Sequence, residues 1–288
     1  VGKLPLISKE DILQAGDSLK CIHFKSYHPR RYRTTGTTGT PLAVYWDRRS
    51  NIMELLSQWR HFSWFGYRPG MPFLDIRNFS RHLGDNLRWN WKCRGLETSI
   101  QFWQEDNIHQ LAAALRSYRI WFWRGNPSAM IDLCLLLEKS DIIDLTPHFV
   151  IAVGETMTVY QREYLQSWLG EQVGDNYGLS EHCAMICSCP EGGYHIASDY
   201  GLIELLRNDN SEADAGEEAR IIATGLHNRA FPLVRYETGD YAVRSDRTCS
   251  CGRRLPLVEE LTGRDNDRIF NSDGKLVSGL HGTYRDVS

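Results

Sequence analysis

Apolar and polar positions follow two different periods along the first two thirds of the chain. Apolar residues that recur every three to four positions predict amphipathic helices over residues 47–65, 107–118, 127–139 and 158–169. Short apolar runs predict buried strands over residues 72–76, 120–123, 149–153 and up to Val173. Because strands that alternate with helices form helix-covered parallel sheets, we predict an α/β fold built on a largely parallel sheet.

The pattern changes after about residue 195, where short strands separated by turns replace this alternation. Such strands are predicted over residues 201–207, 219–224 and 241–244. The sequence therefore predicts a β-rich region after the α/β core.

Composition narrows the class of protein. The 288 residues are 42% hydrophobic and carry a formal net charge of -3, which suits one large core or two smaller ones and does not suggest a nucleic-acid partner. The longest apolar stretches, such as residues 130–137 with Asp132 inside, are far too short for a membrane span. The N-terminus lacks the basic-then-apolar pattern of a secretion signal. We expect a cytoplasmic protein.

A loop rich in threonine and glycine lies between two segments, residues 31–33 and 42–46, that are predicted to be strands. It consists of Thr34, Thr35, Gly36, Thr37, Thr38, Gly39 and Thr40. Glycines let successive backbone N–H groups point at one anion, and threonine hydroxyls add donors. The loop is a candidate polyphosphate site, and the alternative is an ordinary β-hairpin loop, which favours the same residues.

Candidate ligand-binding residues follow two of the predicted strands. Ligands of open α/β sheets bind beyond the carboxyl ends of the strands. Gly154 and Glu155 follow the first strand, and the second is followed by Asn176, Tyr177, Gly178, Ser180 and Glu181. Tyr177 could stack on a base, Ser180 could bond a phosphate or carboxylate, and Glu181 could hold Mg²⁺. The alternatives are a half-buried core aromatic and a solvated acid.

Two later turns carry further candidates. Asp240 follows a Thr-Gly turn, where its carboxylate could accept both hydroxyls of a ribose. Arg264 follows Gly263 and offers a guanidinium fork for phosphate. The alternatives are a common type II turn and a solvated loop.

The cysteines are concentrated in the second half of the chain. Of eight, five lie between residues 183 and 251, which indicates metal binding rather than disulfides in a reducing compartment. Three sulfurs and one imidazole, the mixture that structural Zn²⁺ prefers, are offered by Cys189, His195, Cys249 and Cys251. Cys183 and Cys187 are rival ligands, and reduced buried thiols are the alternative to a metal site.

These segments occur in an order that resembles the adenylate-forming superfamily of acyl-CoA ligases. The matching motifs are the phosphate loop (SSGTTGKP), the GGEP-type loop, YGxSE, YRTGD and GRxDD, at residues 34–41, 154–155, 177–181, 236–240 and 263–267. The chain looks most like the phenylacetate-CoA ligase and CapK branch, through residues 4–11, 189–195, 226–233 and 249–252.

The resemblance implies an enzyme that uses ATP to convert a small-molecule carboxylic acid to an acyl-adenylate, then transfers the acyl group to CoA or another acceptor. Residues 34–39 would hold the β- and γ-phosphates, and Ser180 the α-phosphate or carboxylate. Glu181 would bind Mg²⁺, and Asp240 the ribose. The adenine would be held by Gly154, Glu155 and Tyr177, within a nucleotide site that includes Asn176, Gly178 and Arg264.

The resemblance also implies a domain organisation. Residues 1–195 would form the nucleotide-binding core, residues 196–262 a zinc-bearing β-rich subdomain, and residues 263–288 a hinge and the start of a C-terminal lid domain. Relatives continue into that lid, which carries the catalytic lysine, so we expect this chain to be a fragment. Lys275 is too near the hinge for that role.

Other features leave the function open in part. Thr40, Glu237 and Asn266 differ from the residues usual in the motifs, and a non-catalytic nucleotide-binding module or an interaction scaffold is the alternative to a ligase. Clustered aromatics between residues 89 and 123 suit a core or subunit contact better than an acyl pocket, so the acid is not identified. The CapK branch suggests a link to polysaccharides, and a homodimer is compatible with all of this.

Overall fold

A computed structural model describes residues 2–34, 41–77, 87–170, 172–264, 269–270 and 276–277. The helices are α1 (Lys9–Ala15), α2 (Arg48–Ser63), α3 (Glu105–Tyr118), α4 (Pro127–Lys139) and α5 (Val159–Leu169). The first eight strands are β1 (Arg30–Arg33), β2 (Ala43–Trp46), β3 (Phe73–Arg77), β4 (Arg88–Asn90), β5 (Gly95–Ser99), β6 (Phe122–Gly125), β7 (Phe149–Val153) and β8 (Val173–Gly178). The remaining strands are β9 (Met185–Ser188), β10 (Tyr194–Ile196), β11 (Gly201–Leu206), β12 (Glu218–Gly225), β13 (Tyr236–Ser245), β14 (Leu257–Arg264), β15 (Ile269–Phe270) and β16 (Leu276–Val277).

The four helices predicted from periodicity are confirmed as α2 to α5, with ends that differ by no more than two residues. Local sequence fixes some of these ends. Before α5, Thr158 and Gln161 form a reciprocal capping box, and the helix stops at Gly170. α4 opens with Pro127, whose fixed φ suits the first helical position and whose missing N–H is not needed there.

The chain forms two compact units, which we call the central unit (residues 61–176) and the flanking unit (residues 1–60 and 177–288). In the central unit the strands lie in the order β8-β7-β6-β3-β5-β4. Neighbours are parallel except for β4, which is antiparallel to β5. One face of this sheet packs on α3, α4 and α5 through fully buried residues such as Leu111, Leu133 and Leu165.

The opposite face of the central sheet has an aromatic part and a charged part. Phe122 stacks between Phe73 and Phe149, with ring centroids 5.1 and 4.6 Å away. Further along the same strands lies a charged row, which we define as Arg77, Arg88, Arg124, Asp75 and Glu97. Asp75 pairs in register with Glu97 on one neighbouring strand and with Arg124 on the other.

Ion pairs hold the charged row together. Asp75 lies 2.7 Å from Arg77 and 3.2 Å from Arg124, and Glu97 lies 3.7 Å from both Arg77 and Arg88. Both carboxylates are buried, at 7% exposure. Because each carboxylate has two arginine neighbours, the negative charges of the row are balanced within the protein.

The flanking unit has an antiparallel sheet in the order β11-β12-β13-β14-β10-β9. Its N-terminal segment runs beside β13, because the Ile7 N–H donates to the Arg235 carbonyl and the Ile7 carbonyl accepts from Glu237. The sheet structure is therefore mixed: the strands are mostly parallel and joined by helices in the central unit, and antiparallel and joined by loops in the flanking unit. The domain boundaries at residues 195 and 262 stay a prediction.

Within the part of the chain that the structure describes, no helix combines the length and apolar character needed to cross a membrane.

Candidate active site

The threonine and glycine loop begins and ends on a β-hairpin. β1 and β2 pair antiparallel, with Arg33 opposite Ala43. Thr34 then closes the base of the loop twice: its N–H donates to the Leu42 carbonyl at 2.9 Å, and its Oγ1 accepts from the Leu42 N–H at 3.0 Å. The two flanking strands are thus confirmed. Thr35, Gly36, Thr37, Thr38, Gly39 and Thr40 lie outside the described residues, so their phosphate contacts stay a prediction.

In the central unit, two predicted adenine-site segments are neighbours. Gly154 and Glu155 follow β7 directly, and Val153 pairs in register with Asn176 on the adjacent parallel strand β8. Gly154 has φ +82°, and a β-carbon there would lie 3.2 Å from the Asn126 amide nitrogen. A glycine is therefore required for this turn at the carboxyl ends of the strands.

Polar contacts fix both segments. The Glu155 carboxylate accepts a 2.6 Å hydrogen bond from Ser128 at the start of α4. The Asn176 amide nitrogen lies 3.1 Å from Nδ1 of His61, a fully buried histidine. Sequence reasoning missed His61, since a histidine inside an amphipathic helix carries no signal of its partner.

In the flanking unit, two tyrosines orient the two predicted carboxylates. The Tyr177 hydroxyl donates to Asp240 at 2.8 Å, and the Tyr236 hydroxyl donates to Glu181 at 3.2 Å. Burial, reinforced by the carboxylate charges, raises the pKa of both phenols, so each remains a donor at neutral pH. The structure therefore assigns Tyr177 a contact with Asp240; its stacking on adenine stays a prediction.

The predicted ribose and phosphate residues are backbone neighbours. Asp240 on β13 pairs in register with Arg264 on β14. Asp240 is 6% exposed, and its N–H donates to the Thr238 hydroxyl at 3.1 Å. Glu237, which stands where the YRTGD motif has arginine, forms an ion pair with Arg220. The negative charge of Glu237, where the motif has a positive one, is therefore balanced by Arg220 on the neighbouring strand β12.

Tyr236 and Trp46 are further site residues that sequence reasoning missed. Tyr236 opens the YRTGD-like segment, so its position in the motif was a usable signal. Trp46 ends β2, and its indole N–H donates to the Ser180 carbonyl at 2.7 Å. Nothing in the sequence indicated that contact, since it joins residues 134 positions apart.

The four predicted zinc ligands lie together in the flanking unit. The cysteine-histidine cluster, as we call Cys189, His195, Cys249 and Cys251, has one ligand atom from each residue, all within 4.8 Å of one another. The Cys189 and Cys249 sulfurs are 3.6 Å apart, and the Cys251 sulfur is 3.3 Å from His195 Nε2. Cys183 and Cys187, the rival ligands, are not in this cluster.

The spacing of these atoms fits a tetrahedral zinc ion. With Zn–S bonds of about 2.3 Å, the sulfurs of a tetrahedral site are separated by about 3.8 Å. Two tight turns bring the ligands together: one follows β9, where Gly192 has φ +80°, and the other contains Gly252 with φ +76°. At Gly193 a β-carbon would lie 2.8 Å from the Cys249 sulfur, so a side chain there would displace a ligand.

Burial and hydrogen bonds favour the metal-binding forms of His195 and Cys251 and disfavour that of Cys189. Burial lowers the pKa of His195, so the imidazole is neutral and can donate a lone pair. Burial raises the pKa of Cys189 to about 11. For Cys251, hydrogen bonds from Arg253 and the neighbouring thiols outweigh the effect of burial, so its pKa lies below the ordinary value.

Comparison with known proteins identifies relatives of the chain. No family model matches it. It is 24% identical over 250 residues to a phenylacetate-coenzyme A ligase of Thermus thermophilus, a match that covers 84% of this chain and 56% of that protein. A phenylacetate-coenzyme A ligase of Pseudomonas putida is 30% identical over 151 residues, covering 50% of this chain and 34% of that protein.

Solved structures of CoA ligases have a fold similar to that of this chain. A crystal structure of 2-hydroxyisobutyryl-CoA ligase, in the postadenylation state with R3-HIB-AMP, matches with a TM-score of 0.77 at 16% identity and covers 96% of this chain and 60% of that one. The chain thus spans little more than half the length of these relatives. The structure has the α/β fold of adenylate-forming CoA ligases, and the predicted resemblance to that superfamily, through its phenylacetate-CoA ligases, is confirmed.

Proposed function

We propose that this chain provides the nucleotide-binding part of an adenylate-forming acid-thiol ligase. In the first half-reaction, a carboxylate oxygen of the substrate attacks the α-phosphorus of ATP, and pyrophosphate leaves with the electrons of the broken P–O bond. In the second, the CoA thiol or another nucleophile attacks the acyl carbon, and AMP leaves. The observation that carries this proposal is the pair of tyrosine-oriented carboxylates, Asp240 and Glu181, in one unit.

The residues of this chain would act by binding and orienting the reactants. Asp240 accepts the two ribose hydroxyls, and its rotamer is fixed by the Tyr177 hydroxyl. Glu181 would hold Mg²⁺, which when bound neutralises charge on the phosphate oxygens, and Tyr236 fixes the direction of its carboxylate. Arg264, whose backbone pairs with Asp240, would supply a further positive charge.

We also propose that the cysteine-histidine cluster holds one structural Zn²⁺. Its ligand count, the mixture of sulfur and nitrogen and the 3.3 to 3.6 Å separations support this assignment. The ion would join the turn after β9 to the turn before β14. With four protein ligands it would have no open position for a substrate, so its role is to hold geometry.

The ligase proposal is tested with Glu181→Ala in the full-length gene product. We expect pyrophosphate release with a panel of carboxylic acids to fall about 100-fold, because the charge that holds Mg²⁺ is lost. Glu163→Ala, at an exposed position of α5, is the matched control and should retain activity. Activity that survives Glu181→Ala contradicts the role of Glu181.

A non-catalytic nucleotide-binding module is the second candidate function. Thr40, where the motif has lysine, favours it. Calorimetric titration of the wild-type protein with Mg·ATP separates the two candidates. Binding of ATP without acid-dependent pyrophosphate release from any acid supports the module, and release supports the ligase.

A further inference from the structure

Trp46 connects the hairpin below the threonine and glycine loop to the turn that carries Glu181. Its indole N–H donates to the Ser180 carbonyl at 2.7 Å. Its ring also lies between two other rings: the centroid of Tyr32 is 3.4 Å away with planes at 20°, and that of His182 is 3.9 Å away with planes at 16°. One side chain therefore contacts both segments by two kinds of interaction.

On the loop side, the aromatic pair spans both strands of the hairpin. Tyr32 pairs with Val44 in register, so Tyr32 and Trp46 are diagonal neighbours on one face, a separation that aromatic side chains can bridge. Thr34, two residues beyond Tyr32, closes the loop through its bonds with Leu42. Stacking of Tyr32 on Trp46 thus fixes the strands from which the loop extends.

On the carboxylate side, Trp46 supports a strained turn. His182 has φ +56°, a left-handed conformation that disfavours any residue with a β-carbon. Its N–H donates to the Leu179 carbonyl at 3.0 Å, which closes a turn with Ser180 and Glu181 inside. The His182 ring is 5% exposed and packs on Trp46. Such strain persists only where the surroundings compensate for it, and the stack does so here.

We propose that Trp46 is a positioning residue that sets the separation between the hairpin of the threonine and glycine loop and the Glu181 carboxylate. This inference rests on the proposed function, in which the loop holds phosphates and Glu181 holds the Mg²⁺ that contacts them. Misplacement of about 1 Å in such a geometry costs about 100-fold in rate. Trp46 acts through Ser180 and His182 rather than on ATP itself.

The test compares two tryptophan variants of the full-length gene product. Trp46→Phe keeps an aromatic ring but removes the indole hydrogen bond. We expect the Mg²⁺ concentration for half-maximal pyrophosphate release to rise about fivefold, the usual value of one lost hydrogen bond, with the KM for the carboxylic acid unchanged. Trp103→Phe is the control. It removes the hydrogen bond from the Trp103 indole to Thr98, 3.1 Å long and in the central unit, and should change neither the Mg²⁺ dependence nor the KM for the acid.

Amide hydrogen exchange gives a second readout that does not depend on turnover. In Trp46→Leu, which removes the ring itself, the amides of Thr34, Leu42 and His182 should exchange about tenfold faster, because their hydrogen bonds are no longer held by the stack. Tyr32→Leu, which removes the other ring, should act in the same direction.

Two results would overturn the inference: the same Mg²⁺ dependence in Trp46→Phe and Trp103→Phe, or unchanged exchange at all three amides. A wild-type protein that does not bind Mg·ATP contradicts the proposed function instead. In that case the exchange measurement still decides whether Trp46 couples the hairpin to the turn.

Discussion

The cysteine-histidine cluster and the charged row are both polar clusters, but they combine different kinds of chemical group. In the charged row of the central unit, each buried carboxylate has arginine neighbours at 2.7 to 3.7 Å. In the cluster of the flanking unit, the four members are electron-pair donors that approach within 4.8 Å of one another, and none is a cation. The first cluster pairs opposite charges within the protein, whereas the second brings together the electron-pair donors that zinc prefers.

The difference shows how a structural ion network is distinguished from a candidate metal site. Carboxylates and thiols both bind metals, so residue type alone would make Asp75 and Glu97 candidates as well. Their arginine neighbours already compensate the charge, and breaking such a pair costs more than the pair contributes. A set of converging electron-pair donors of the types that zinc prefers is the more specific indication.

The largest expected effect comes from removing a ligand of the cysteine-histidine cluster. Cys189→Ala should lower bound zinc from about one equivalent per chain to below about a tenth, because three remaining ligands hold structural zinc weakly. Metal analysis of the purified protein measures this. Cys187→Ala is the matched control, since Cys187 is a buried neighbour outside the cluster. Zinc that persists in Cys189→Ala, or that is lost equally in the control, would contradict the assignment.

A smaller effect is expected in the charged row. Asp75→Ala leaves Arg124 without this carboxylate and Arg77 with Glu97 alone, and should lower the free energy of unfolding by about 2 kcal/mol. This is below the usual cost for a buried pair because the Arg77 side chain is 47% exposed. Urea titration measures it, and a metal chelator should not alter the difference from wild type.

The matched control for Asp75 is Asp144→Ala, which breaks the exposed ion pair with Arg116. It should leave the urea midpoint unchanged, because solvent screens that pair. Equal destabilisation by the two variants would show that burial of the charged row does not increase its contribution to the free energy of unfolding.

The smallest effect concerns a thiol that belongs to neither cluster. Burial raises the pKa of Cys134 from its ordinary value of 9.0 to about 12. The unfolded thiol therefore ionises first, and stability falls as the pH rises above 9. Between pH 8 and 10 the wild type should lose about 1 kcal/mol more than Cys134→Ala. Identical losses in urea titrations at the two pH values would show that Cys134 does not stay protonated in the fold.

Sequence patterns were most informative where structure depends on near neighbours. The bounds of α4 and β7 match their predictions, since a proline start, a continuous apolar run and a following glycine are all local signals. The short strands β4, β9 and β10 were not predicted. They are three or four residues long, and their pairing depends on partners rather than on their own periodicity.

The candidate site divides in the same way. The sequence named the candidate carboxylates, the glycine turns and the four members of the cysteine-histidine cluster, because the chemistry of a site restricts the residue types that can form it; their roles stay predictions. The contacts that support them were not predictable: Tyr177 with Asp240, Tyr236 with Glu181, and Trp46 with Ser180. A hydrogen bond between residues 63 or 134 positions apart leaves no trace in local pattern.

By itself, the sequence determined the alternation of helices and strands, the resemblance to adenylate-forming ligases and the residue types of both sites. Tertiary structure alone decided that Cys189 rather than Cys183 or Cys187 joins His195, Cys249 and Cys251. It also placed Asp75 and Glu97 beside arginines, and Asp240 and Glu181 beside tyrosine hydroxyls. The physical reason is that burial and charge compensation are properties of contacts in space, which only the folded chain creates.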